Sequence, residues 1–393
     1  MNVFENVIDR RNTRSVKWDT MESIFGVDDA SDILPMWIAD MDFAAPKVVI
    51  DAMQKCLNHG VFGYSYFNET CKDAIRLWLE NRHAWQTQND WMLVHHGVVP
   101  AIASVIEAFT AKGDGILVTA PVYPPFSQVP IRMQRTLVEC VMKEKDGNYS
   151  IDFVEFEKAL QQNVKLFVLC NPHNPGGIVW TEKELKKIIE LCTKYDVLIL
   201  SDEIHADLVF PGNKHIALAT IAEEEAKRII TCIAPTKTFN LAGLQVAIII
   251  SPDAKVREKL EQNLLAHGQM GVNRLSPFAA SALKAAYEEG GPWLQELLGI
   301  ITSNMDYVIE ELTEKVPGIK INKPQATYLL WIDYRNTGLS EEEIMSKLLG
   351  KGKLALEPGT KYGEAGNGFL RMNIACAPSR LKDGVRRFIT ALS

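Results

Sequence analysis

Several residues able to do chemistry stand at the ends of apolar runs in this 393-residue chain. Lys237 follows the run 228–234, Asp202-Glu-Ile-His205 follows 197–201, and Asn171-Pro-His-Asn174-Pro-Gly-Gly177 follows 165–170. Pro121-Val-Tyr123 follows 115–120, and His95-His-Gly97 opens a helix over 98–110 that begins with Val98 and Val99. A lysine directly after a buried apolar strand is poorly explained as one of forty-two basic residues on a solvated surface. The residue types point to an amine-centred site with a carboxylate, an amide and a helix start whose N–H groups and dipole favour an anion. Each member alone has a simpler explanation. Asp202 could cap the next helix, Asn-Pro is good turn chemistry, Tyr123 could be a core tyrosine, and His205 could be a satisfied structural histidine.

The elements that must position these residues are legible as a pattern. From about 90 to 250, short runs rich in Ile, Leu and Val alternate with amphipathic stretches, as in strand, helix, strand units around a largely parallel sheet. The runs 115–120, 165–170, 197–201, 228–234 and 245–251 are expected strands. Leu185, Ile188, Ile189, Cys192 and Tyr195 recur at helical spacing behind Thr181, a candidate cap for a helix over 182–195. In open α/β sheets, ligands collect at the carboxyl ends of strands, where these residues lie. After 290 the texture becomes that of a smaller α+β unit. A helix is expected over 301–316, strands over 319–322 and 327–333, a helix over 340–349, a strand over 369–375 and a closing helix after Pro378. Gly290, Gly291 and Pro292 punctuate the junction, although a long helix could bridge the two lobes.

Composition excludes several function classes. Forty-two basic against forty-nine acidic residues leave a net charge of -7, no electrostatic reason to expect nucleic acid or an anionic membrane. Seven cysteines without paired spacing argue against a disulfide framework or zinc site and for a reducing cytosol. The charged N-terminus has no apolar core of a secretory signal, and no apolar run approaches the roughly 20 residues that cross a bilayer. His95-His96 has no further ligands at a metal-site spacing, so no metal is expected. The glycine-rich stretch 363–368 lacks the strand and helix a nucleotide loop requires.

Taken in order, these segments resemble the fold-type I, pyridoxal-phosphate-dependent aminotransferase class I/II superfamily, and within it the cystathionine β-lyase branch often called the MalY/PatB family. The resemblance spans essentially the whole chain. It is carried by Pro35-Met-Trp-Ile-Ala-Asp-Met-Asp-Phe43, Phe62-Gly-Tyr64, Cys170-Asn-Pro-His-Asn-Pro-Gly-Gly177, Ser201-Asp-Glu-Ile-His-Ala-Asp-Leu208 and Thr236-Lys-Thr-Phe-Asn-Leu-Ala-Gly243. It implies an α/β fold with a large domain over 47–287 built on a mostly parallel sheet. A smaller α+β domain follows over 288–393, joined by an N-terminal segment 1–46.

The resemblance also implies roles. Lys237 is the Schiff-base lysine and proton carrier, Asp202 the anion beside the pyridine nitrogen, and Asn174 the donor to the phenolic oxygen. His205 stands near that same oxygen, where many related aminotransferases carry tyrosine. Tyr123 stacks on the ring, with a catalytic role. The amides of Val98 and Val99 hold the phosphate with Thr236, and Tyr64 reaches it from a neighbouring subunit, so a homodimer is implied. Arg371 matches the clamp for the substrate carboxylate, a structural salt bridge being its alternative, and Trp37, Ile38 and Ala39 close over that carboxylate. Gln245 departs from the pattern: many relatives carry an arginine there, so weaker cofactor retention is expected.

The implied activity is β-elimination from L-cystathionine or a related L-cysteine S-conjugate, giving a thiol, pyruvate and ammonia in the cytoplasm. An aminotransferase uses the same lysine, clamp and electron sink and stays open as an alternative. A catalytically silent regulatory binding protein is a third reading, against which the intact Lys237, Asp202, Asn174 and Arg371 set argues.

Overall fold

The computed structural model describes residues 3–145, 147–267 and 274–393. Among these residues, seven strands form the main sheet: β1 (Met92–His95), β2 (Gly115–Ala120), β3 (Thr136–Val141), β4 (Val164–Cys170), β5 (Leu198–Asp202), β6 (Ile229–Ile233) and β7 (Ala247–Ile250). Their spatial order is β1-β7-β6-β5-β4-β2-β3. All neighbours are parallel except at β7, which runs antiparallel to both β6 and β1. The physical reason lies in the connection 234–246. It holds only short turns at the sheet's end, whereas a parallel return needs a crossover, usually a helix.

Helices cover both faces, which is why these strands read as unbroken apolar runs. Leu166 and Val168 of β4 pack with Ile102, Val105 and Ile106 of α1 (Val98–Phe109). Phe167 and Leu169 point the other way, onto Leu185, Ile188 and Cys192 of α2 (Glu182–Lys194). The expected cap is present: Thr181 Oγ1 accepts from Glu184 N while Glu184 accepts from Thr181 N, a reciprocal capping box. Two sheet strands lay outside the expected set. In β3 exposed and buried residues alternate, Val138 and Cys140 in and Glu139 and Val141 out, as an edge strand permits. In β1 only four residues pair before the chain turns into α1.

At the expected junction two helices follow one another with only Gly290 between them. Helix α3 (Pro277–Glu289) is followed at once by α4 (Gly291–Lys315), with Pro292 in its first turn, where the missing N–H has no partner to lose. The expected helix over 301–316 is therefore the second part of a longer one. Beyond it, β8 (Lys320–Ile321), β9 (Leu329–Asp333), β10 (Glu357–Pro358) and β11 (Phe369–Asn373) form an antiparallel sheet in the order β8-β9-β11-β10, backed by α5 (Pro378–Leu392). The N-terminal stretch lies along this unit. Leu34–Pro35 pairs in parallel with Leu354–Ala355, and Asn373 N donates to Met36 O at 2.8 Å. One apolar cluster joins Leu34 and Met36 to Met372, Phe388 and the buried faces of α3 and α4. None of the helices among the described residues is long and apolar enough to cross a membrane. Six of the seven cysteines are buried free thiols, and Cys56 is half-buried.

Candidate active site

The sheet register brings the chemistry to one place. Cys170 of β4 and Cys232 of β6 both stand opposite Asp202, the last residue of β5. The chain leaving β4 therefore brings Asn174 beside Asp202, and the one-turn helix Pro235–Thr238 after β6 brings Lys237. Strand β2, on the other side of β4, ends at Ala120 and presents Tyr123. Strand β1 runs in the same direction as β6 and delivers the first turn of α1 to the same end of the sheet. Gly97 makes that turn at φ 114°, a conformation that L side chains rarely adopt.

The result is a cavity of about 340 Å³ lined by Ala39, Val98, Val99, Tyr123, Asn174, Asp202, His205, Thr236 and Lys237. Gln245 lines it too, in the left-handed conformation at φ 49°, which shortens the strand expected over 245–251. Arg371 stands against the wall, donating from Nη1 to Asn174 Oδ1 at 3.3 Å and from Nη2 to Trp37 O at 3.0 Å. Trp37 contributes that carbonyl, while its indole is buried and donates to Lys17 O. Ile38 is likewise present through its backbone: its carbonyl accepts from Asn373 Nδ2 at 2.7 Å. Tyr64 is not brought to this cavity within the chain. It is 92% exposed, with the Arg274 guanidinium 4.7 Å above its ring.

Burial sets the electrostatics. The Lys237 amine lies at the cavity wall and donates to Ala39 O at 2.5 Å. Burial and then the positive charge of Arg371 pull its pKa down to about 8, outweighing Asp40 and Asp202. Burial drives the Asp202 carboxyl up to about 7, against a hydrogen bond from Ile204 N at 3.1 Å. Such a carboxylate is poised to hold a cationic N–H placed beside it. His205 is held neutral by burial and by the nearby Lys237 and Arg371 cations, with a pKa of about 3, and its Nδ1 has no hydrogen-bond partner among the described residues. Tyr123 stays a neutral phenol, its pKa raised by burial. Because Arg371 occupies Asn174 Oδ1, the amide NH₂ of Asn174 is the group left to donate.

Other residues at the site escaped sequence reasoning. His96, Cys170, Ile204 and Ala242 line the cavity, and Tyr328 donates to Ala39 O at 3.0 Å. Glu357 accepts from Arg371 Nη2 and, at 2.6 Å, from Tyr362 OH, so the salt-bridge alternative for Arg371 exists alongside its place at the cavity. Nothing local marks Glu357, which lies fourteen residues before Arg371 on a two-residue strand. Beneath the site, buried Asp207 accepts from Thr238 Oγ1, next to Lys237, at 2.8 Å and from Trp78 Nε1 at 3.0 Å. His95, by contrast, faces α1 and pairs with Ser104 Oγ at 3.0 Å.

The family model for aminotransferase class I and II matches residues 31–388. The chain is 44% identical over 391 residues to cystathionine β-lyase PatB of Bacillus subtilis (strain 168), covering 99% of this chain and 100% of that protein. It is 32% identical to protein MalY of Escherichia coli (strain K12), covering 99% and 98%. The crystal structure of cystalysin from Treponema denticola, which contains pyridoxal 5'-phosphate, superposes with a TM-score of 0.95 at 35% identity, covering 99% of this chain and 98% of that one. The chain therefore belongs to the pyridoxal-phosphate-dependent class I and II aminotransferase family, in its MalY/PatB-type cystathionine β-lyase branch.

Proposed function

We propose that this protein is a carbon–sulfur β-lyase that cleaves L-cystathionine or a related L-cysteine S-conjugate to a thiol, pyruvate and ammonia. The observation that carries this reading is the convergence of Lys237, Asp202 and the Asn174–Arg371 pair on one cavity, in a chain 44% identical along its length to a cystathionine β-lyase.

The donor set fits pyridoxal phosphate: a buried amine of lowered pKa, a carboxyl ready to bind a cation, an amide with a free NH₂, and helix-start amides for an anion. When bound, that group supplies an aldehyde for an amine and a ring that accepts the electron pair left at Cα. Lys237 would hold the aldehyde carbon of that group, and its amine, once free, would accept the substrate's Cα proton. Asp202 would stand beside the ring nitrogen and favour its protonated form. Asn174 donates to the phenolic oxygen, with neutral His205 nearby, and Tyr123 covers the ring face. The amides of Val98 and Val99 with Thr236 receive the phosphate. Arg371 would bind the substrate carboxylate and so orient the bonds at Cα, while the segment Trp37 to Ala39 would cover it. With L-cystathionine the expelled thiol is homocysteine.

We also read the chain as two lobes, 47–287 and 288–393, with 1–46 joining the smaller, and as a cytoplasmic homodimer. Exposed Val61, Phe62, Tyr64 and Tyr66 support the dimer, as a run of large apolar side chains that a second copy would cover. The second reading, an aminotransferase, is favoured by the description of the matching family model. The deciding experiment supplies the purified, cofactor-loaded protein with L-cystathionine and no oxo acid, following pyruvate and free thiol together. Equal release over many turnovers is expected. Conversion only after an oxo acid is added would overturn the lyase reading.

A further inference from the structure

We infer that Glu357 sets the protein's selectivity at Arg371 by occupying that guanidinium until a substrate carboxylate displaces it. This rests on Arg371 being the carboxylate anchor. A carboxylate gripped by two parallel N–H bonds must use either Nε with Nη2 or Nη1 with Nη2, because Cδ blocks the remaining edge. Both forks include Nη2, and Nη2 is committed to Glu357 Oε2 and Trp37 O. Nε, by contrast, is buried and without a partner among the described residues, and Nη1 is shared with Asn174.

One of the two Nη2 partners must therefore give way. Trp37 O lies in a segment pinned by Asn373, whose Nδ2 donates to Ile38 O at 2.7 Å and to Asp40 O at 2.6 Å. Glu357 has somewhere to go: its Oε1 is 3.5 Å from Lys361 Nζ, at the more exposed side of the pair. It also brings a full charge. With Arg371 side-chain exposure at 3% and Glu357 at 12%, the two nearly neutralise each other in a water-poor wall, so an arriving carboxylate meets little net attraction until Glu357 moves. Glu357 acts through Arg371 and is thus a positioning residue.

The holoenzyme is titrated with L-alanine, an α-amino acid with nothing to eliminate, and with ethylamine, which keeps the amine and lacks the carboxylate. Both are followed by cofactor absorbance. Glu357→Gln is expected to tighten L-alanine roughly tenfold or more and to leave ethylamine within about twofold, because the competing charge-assisted bond is weakened. Lys361→Met is expected to weaken L-alanine about threefold, and that effect should vanish in the double variant, since Lys361 acts through Glu357. General loosening would not give opposite signs in the two variants. Unchanged or weaker L-alanine binding in Glu357→Gln, or an equal shift for both ligands, overturns the inference while the lyase reading stands. If the unaltered protein binds ethylamine as tightly as L-alanine, Arg371 is not the carboxylate anchor, and this inference falls with that assignment.

Discussion

Asp207→Asn is the most direct test of how the site is held in place. Asp207 is 7% exposed and lies beneath the lysine turn. Its carboxylate pairs with His83 Nε2 at 2.8 Å and Arg82 Nε at 3.1 Å, and it accepts from Trp78 Nε1 at 3.0 Å and Thr238 Oγ1 at 2.8 Å. It thus ties the helix Glu69–His83 to the residue that follows Lys237. Burial raises its pKa, but His83, Arg82 and Thr238 outweigh that and hold the group below the ordinary carboxylate value. Asparagine keeps the shape, removes the charge and turns an N–H₂ toward groups that need an acceptor. Removing one partner from a buried ion pair costs about 3–5 kcal/mol. An unfolding entropy of ~2.1 cal/mol/K per residue over a chain of this length gives ~0.8 kcal/mol per degree, so Tm should fall by about 4–6 °C. Scanning calorimetry of the cofactor-free variant and parent measures it. The parent's contribution from Asp207 is present above the unfolded carboxylate pKa and lost as pH falls through the lower folded value, so the gap in Tm should narrow in acid. A Tm within about 1 °C of the parent at neutral pH would refute the reasoning.

Two further outcomes concern the cofactor. Lys237 reacts as the free amine, and its pKa is lowered to about 8, so the rate of pyridoxal phosphate uptake by the apoprotein should climb with pH and level off above about 8. A half-rise near the ordinary lysine value, followed by stopped-flow absorbance, would contradict the buried environment described for it. Gln245→Arg should tighten pyridoxal phosphate roughly tenfold or more in equilibrium dialysis, by adding a charge-assisted phosphate contact at the cavity wall; unchanged retention would show that the phosphate does not approach Gln245.

What the sequence determined by itself is local. Strands β2, β4, β5 and β6 are legible because helices cover both faces, so burial writes each as a continuous apolar run. Residues standing at the ends of such runs, Asn174, Asp202 and Lys237, are conspicuous for the same reason: a polar group beside an apolar strand is out of place unless it has work or a partner. The cap at Thr181 needs only its own neighbour Glu184. Edge strand β3 is not legible because alternation over six residues is a weak signal, and neither is the reversal of β7, because strand direction leaves no mark in composition. The rest belongs to the tertiary structure. Ala39 meets Lys237 across 198 positions, Trp78 meets Asp207 across 129, and Arg371 meets Trp37 across 334. Those meetings place the amine against the N-terminal segment, anchor its turn and hold the guanidinium at the cavity, where Glu357 pairs with it. A sequence window cannot contain them, because each joins residues far apart in the chain, and burial, the largest influence on the charges of Lys237, Asp202 and Asp207, exists only after the chain has packed.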